Sequence, residues 1–197
     1  MQWNWPAQFG EEHFVVLLGG VYTEMAALRT LENWLDSSGW TATLVQVNVT
    51  SPGKDEVMLQ ASHVKRTCHA HQVTAACLYI LQQRAYRQYV SSAASTEPLD
   101  FSAWCNDQTN CHLQFQYWSL TLQLQLVILL HLKAIRQSNF PLYISSLAQL
   151  IPLFFALDHY HYATWASVHL CDMTALSTSH PNVATEYESG RFYHSQK

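Results

Sequence analysis

The side chains best suited to chemistry in this 197-residue chain fall into three groups: Cys68, His69 and His71; Cys105, then Cys111 with His112; and His159 with His161. Thiolate and imidazole are the ligands of zinc, and a structural zinc site is normally held by two closely spaced pairs. The spacing inside these groups is poor for that purpose. On a helix, residues two apart diverge, so His69 and His71, or His159 and His161, cannot share one face. The reading is of polar or aromatic core positions, with no metal and no other cofactor. Two carboxylates stand beside strong local features: Glu24 follows a glycine pair, and Asp158 precedes an aromatic-rich helical pattern. They are the catalytic candidates if the chain holds a divalent cation for phosphoryl chemistry. As structural residues, Glu24 faces solvent near a helix start and Asp158 caps a helix. Gly19-Gly20 completes neither G-x-G-x-x-G nor the Walker pattern, so a tight turn is read there and not a nucleotide site. None of the five cysteines carries a nucleophile elbow or another local catalytic signature.

These residues have to be placed by elements with legible patterns. Phe14 to Leu18 is a short apolar run of strand length, and Gly19-Gly20 ends it. Met25, Leu28, Leu31 and Leu35 follow at steps of three or four, with Glu24, Arg29 and Glu32 on the other side, until Asp36-Ser-Ser-Gly39 stops the helix. That predicts a strand-turn-helix (βα) unit over residues 1–39. Residues 40–90 read as helices: a helical turn after Trp40, a start at Ser51-Pro52-Gly53, and a long amphipathic helix from His63 to Val90. The stripe of that long helix is Val64, Cys68, His71, Ala75, Leu78, Leu81, Ala85 and Tyr89. Residues 91–110 read as a loop. Residues 111–197 give helices and a tail: Gln114 to Ser138, a helix opened by Phe140-Pro141 and kinked at Pro152, a third beginning at Asp158, a loop at Ser177 to Pro181, an acidic turn ending at Gly190, and an edge strand or frayed end. The predicted fold is mainly α, an irregular helical bundle with one short N-terminal βα unit, in a single domain.

Composition narrows the function classes. Lys and Arg number 10 against 14 Asp and Glu, giving a formal charge of -4, so the totals give no basis for a nucleic-acid partner. Charged residues are only 12% while apolar types reach 49%, which excludes a disordered chain. The 11 histidines would carry the charge from -4 to +7 if all were protonated. An odd number of cysteines in a chain of this size points to reduced thiols, and the opening Met1-Gln-Trp-Asn-Trp-Pro6 lacks the pattern of a signal peptide. Both indicate an intracellular protein, in which the Asn48-Val-Thr50 sequon is idle. Leu113–Leu132 and Gln137–Leu157 are uncharged and long enough to span a bilayer. Gln114, Gln116, Gln123, Gln125, His131, Ser145, Ser146, Gln149 and Pro152 argue against that use.

Several separated blocks resemble a set of uncharacterised multicopy animal proteins associated with mobile elements and transposon-derived. They are Gln2-Trp-Asn-Trp-Pro6, Phe14 to Ala27, Gly39-Trp40, Arg66 to Thr74, Phe154-Phe-Ala-Leu-Asp-His-Tyr-His-Tyr-Ala163 and His180-Pro181. Similar members continue upstream with an Asp-Gln-Pro block, and where they carry Gly-Gly-Leu-His this chain has Gly19-Gly20-Val21-Tyr22. The resemblance implies a truncated member, the C-terminal part of a larger parent. The resulting expectation is a non-catalytic remnant acting through protein contacts. The alternatives are a metal-dependent nuclease or transposase-like domain using Asp158 and Glu24, and a helical membrane hairpin. An exposed strand edge also implies self-association.

Overall fold

The computed structural model describes residues 14–51, 64–92 and 97–192. They are mainly helical, in the order α1 (Gly20–Leu35), α2 (Trp40–Gln46), α3 (Val64–Ser92), α4 (Phe101–Cys111), α5 (Leu113–Arg136), α6 (Phe140–Ala156), α7 (Tyr160–Thr174), α8 (Leu176–Ser179) and α9 (Pro181–Glu186), followed by a π-turn at Tyr187–Arg191. The helix start expected at Ser51-Pro52-Gly53 falls, beyond Ser51, outside the described residues.

The core is built around α6. Tyr143, Leu147, Leu150 and Phe154 recur at steps of four, three and four, and all are essentially inaccessible to solvent. Against them lie Leu124, Ile128 and Leu132 of α5 and Ala163, Ala166 and Met173 of α7. The helix begins where Asn139 accepts a hydrogen bond from the Leu142 amide at 3.0 Å, and it runs on through Pro152 to Ala156. Its two neighbours are joined to it by the same device. Ser138 (φ 51°) and Asp158 (φ 61°) take the left-handed conformation, and the amides of Asn139 and His159 reach back to the carbonyls of Ala134 (2.9 Å) and Phe154 (2.8 Å). Each is a Schellman-type end, which satisfies the last carbonyls of one helix while turning the chain into the next. Asp158 therefore occupies the turn residue itself and does not cap α7, as the sequence suggested. His159 holds the cap position, and Asp158 Oδ1 accepts from the Tyr160 hydroxyl at 2.6 Å.

The N-terminal βα unit is not seen. Residues 14–19 form no strand, although they alternate as one: Phe14 and Val16 are exposed while Val15, Leu17 and Leu18 pack on the core. A strand needs a neighbour to share its ladder, and the described residues contain none, so the segment lies directly against helices. Gly19 caps α1, its carbonyl accepting from the amides of Tyr22 (3.0 Å) and Thr23 (3.2 Å). The exposed-edge argument for self-association falls with the strand.

Two further expectations change. Residues 91–110 were expected to be loop, yet α4 occupies Phe101–Cys111, opened by Asp100, whose carboxylate accepts from the Ala103 amide at 2.9 Å. The long α3 buries Thr67, Cys68, Ala70, His71 and Ala75 and then leaves the core. Its remaining turns lean on α4 through Tyr86 and Tyr89, whose rings lie 5.3 and 6.1 Å from Trp104. Leu81, expected in the buried stripe, is exposed.

The packing makes two stability predictions, both read by urea or thermal unfolding. Phe154→Ala, which empties a fully buried ring site, should destabilise by about 3–5 kcal/mol, and Asn139→Ala, which removes a cap, by about 1 kcal/mol.

Candidate functional site

The candidate zinc ligands are dispersed. His69, Cys111, His112 and His161 are exposed, and Cys105 is half-buried. Among the described residues no three His, Cys, Asp or Glu side chains gather in a set that could hold a metal ion. His71 is buried as a flat partner for Trp40, the rings stacked at 4.7 Å and 8° apart. Burial pushes its pKa down to about 3, so it is neutral at physiological pH. Its Nδ1 lies 3.5 Å from Gln125 Nε2 of α5. His159 contacts Asn33 of α1 at 3.4 Å, and its pKa is lowered by burial and by Arg29.

Glu24 was expected at the solvated side of α1, and it is buried instead. Arg136, the last residue of α5, donates to Glu24 Oε1 at 2.5 Å and to Cys68 Sγ of α3 at 3.5 Å, while the thiol lies 3.8 Å from the same carboxylate oxygen. Three helices are thereby tied at one point. Burial raises the Cys68 pKa, against the opposing pull of Arg136, so this thiol is held protonated and is a poor nucleophile. Glu32, also expected on the outer side of α1, is buried as well.

The two candidate acids are not brought together. Asp158 adjoins His159, which touches α1 at Asn33, whereas Glu24 lies nine residues earlier on that helix, about 13 Å along its axis. Each carboxylate has a partner of its own, Arg136 for one and Tyr160 for the other.

The structure shows instead a feature that reading for reactive residues passed over. Beyond the point where α3 leaves the core, a groove runs between it and α5. Two adjoining hollows of about 320 and 390 Å³ share Gln72, Leu126 and Leu129; Ala75, Ala76, Tyr79 and Leu122 extend it one way, and Leu130, Lys133 and Arg136 the other. Tyr79, Leu126 and Leu130 are about half exposed, at 53%, 47% and 40%. The signal was present in the sequence: Leu122, Leu126, Leu129 and Lys133 follow steps of four, three and four on a face of α5 adjacent to its core-facing Leu124, Ile128 and Leu132. Among the described residues the core-facing side of α5 is covered by α6, whereas Leu126 and Leu130 on the adjacent face stay half exposed.

Residues 82–197 match a family described as a domain of unknown function, DUF8702. No curated protein and no solved structure matches the chain.

Two outcomes follow. Arg136→Met strands the Glu24 carboxylate in a buried site and should cost about 1–3 kcal/mol in urea unfolding at neutral pH; adding Glu24→Gln should recover most of it. The folded state takes up the His71 proton only near pH 3, whereas the unfolded chain takes it up near pH 6.5. Stability should therefore fall as pH drops from about 6.5 to 4, by about 1.4 kcal/mol per pH unit for one such group. His71→Phe, which preserves an aromatic partner for Trp40, should flatten that slope in pH-dependent urea titrations.

Proposed function

The chain belongs to the DUF8702 family, and from that premise we propose that it is a non-catalytic helical protein of mobile-element descent that acts through protein contacts. The observation that carries this reading is the open apolar groove between α3 and α5. A soluble domain gains by covering such a surface, and contiguous apolar patches rimmed by polar groups are characteristic of binding faces. The descent rests on the sequence blocks of its resemblance. An intracellular setting fits thiols that stand free, with Cys77, Cys111 and Cys171 exposed.

The nuclease or transposase-like reading has the weaker support, since Glu24 is committed to Arg136 and Asp158 to a helix turn. One observation favours a second reading, the membrane hairpin. Helix α5 is long and apolar enough to cross a bilayer, with mean hydropathy 1.4 in its best window, and α6 is a shorter apolar helix beside it. Thr121, Gln125, His131 and Ser146, buried along those two helices, favour a bundle core over hydrocarbon.

Purified chain incubated with duplex or single-stranded DNA and magnesium or manganese should leave the DNA intact. Cleavage that is lost in Glu24→Gln or Asp158→Asn would replace the contact reading with the nuclease one. Recovery of the folded chain only from detergent would replace it with the membrane hairpin.

A further inference from the structure

We propose that the α3–α5 groove is a receptor for an acidic amphipathic helix of a protein partner; this rests on the protein-contact reading above and names the chemistry of the contact. The argument begins with charge. The two helices together carry Lys65, Arg66, Arg84, Arg87, Lys133 and Arg136, six of the chain's ten Lys and Arg, and no Asp or Glu, in a molecule whose formal charge is -4. The remaining segments hold every acid. All six are exposed. Arg136 is already paired with Glu24, and Arg66 and Arg84 lie about 100° round α3 from Lys65, so the cations that attend the groove are Lys65, Arg87 and Lys133.

Their placement follows the groove. On α3, Lys65, Gln72, Ala76, Tyr79, Gln83 and Arg87 succeed one another at helical steps and share one side. Helix α5 runs antiparallel to α3: Gln82 donates to Ser119 at 3.4 Å, His71 meets Gln125, and Cys68 meets Arg136. The start of α3 therefore adjoins the end of α5, and Lys65 comes to the same end of the groove as Lys133 and Arg136. Arg87 stands towards the other end.

The shape suits a helix. Beyond Lys65 and Lys133 the lining is Gln72, Ala75, Ala76, Tyr79, Leu122, Leu126 and Leu129. The two alanines let a third backbone approach closely, and the leucines supply ridges for its apolar stripe, as in helix-in-groove recognition. A partner helix with leucines at i, i+3, i+4 and i+7 flanked by Glu completes both the apolar and the electrostatic match. Phosphate backbones match the charge but leave unmatched the leucines and alanines that make up most of the floor, where Gln72 is the polar side chain shared by both hollows.

The test uses the full chain and two synthetic, fluorescein-labelled amphipathic 18-residue peptides with identical leucine stripes, one flanked by Glu and the other by Lys. Fluorescence anisotropy should show the Glu peptide binding at least tenfold more tightly than the Lys peptide. Leu126→Glu, at an exposed position that circular dichroism should show folded, should weaken the Glu peptide at least tenfold, and Lys65→Glu/Lys133→Glu should reverse the preference. Equal binding of both peptides, or binding unaffected by Leu126→Glu, overturns the acidic-helix proposal while leaving a protein-contact function standing. Absence of peptide binding overturns it as well, whether single-stranded DNA or anionic vesicles bind through the same cations or the groove is covered by a second copy of the chain in size-exclusion chromatography. DNA cleavage in the same preparation would remove the underlying reading too.

Discussion

The hydroxyl of Tyr143 must find its hydrogen-bond partner inside the bundle, and the way it does so organises the fold. Tyr143 is wholly buried in α6, and its hydroxyl meets His169 Nε2 of α7 at 2.9 Å. The ring stacks on His131 of α5 at 5.2 Å and packs against Phe192 at 4.7 Å. His131 in turn has Nδ1 3.0 Å from Ser146, and His169 is also hydrogen-bonded to the backbone at Val16. One polar ring thus fixes the relative placement of α5, α6, α7, the N-terminal segment and the end of the chain. An unsatisfied hydroxyl in such a site costs more than the hydrogen bond contributes, so the arrangement is specified as well as stabilised.

The histidines acquire their meaning from this constraint. With so few charged residues, the chain uses neutral imidazoles as buried polar connectors, each able to donate and accept. His71 and His131 have pKa values pushed down by burial to about 3 and about 4, and His169 is shifted the same way for the same reason. Three of the 11 histidines, His71, His131 and His169, are therefore core material, whereas His69, His112 and His161 are exposed.

Helices α3, α5, α6 and α7 were legible as long apolar or amphipathic runs, and Phe140-Pro141 marked a true start, but the three-or-four step stripe of α3 reports burial only as far as Ala75. The strand was not legible as absent. The alternation of Phe14 to Leu18 is real, but a ladder depends on a second segment that local pattern cannot supply. Helix α4 escaped notice because it buries one residue, Trp104, and is defined by the capping carboxylate of Asp100 more than by any stripe. Glu24 and Glu32 were misplaced for a related reason: α1 is enclosed on most of its circumference, so its acids follow it into the core, Glu24 compensated by an arginine 112 residues away. The groove was legible in part, as a second apolar face on α5, but its opposite wall depends on how α3 departs from the bundle.

Gly190, with φ 87°, turns the chain after the π-turn so that Phe192 enters the aromatic nest of Phe140, Tyr143 and Tyr187. The carboxyl end of the described chain therefore acts as a stopper for the bundle. Loss of this ring would open a hole beside the central tyrosine, turning a change far along the chain into loosening at the middle.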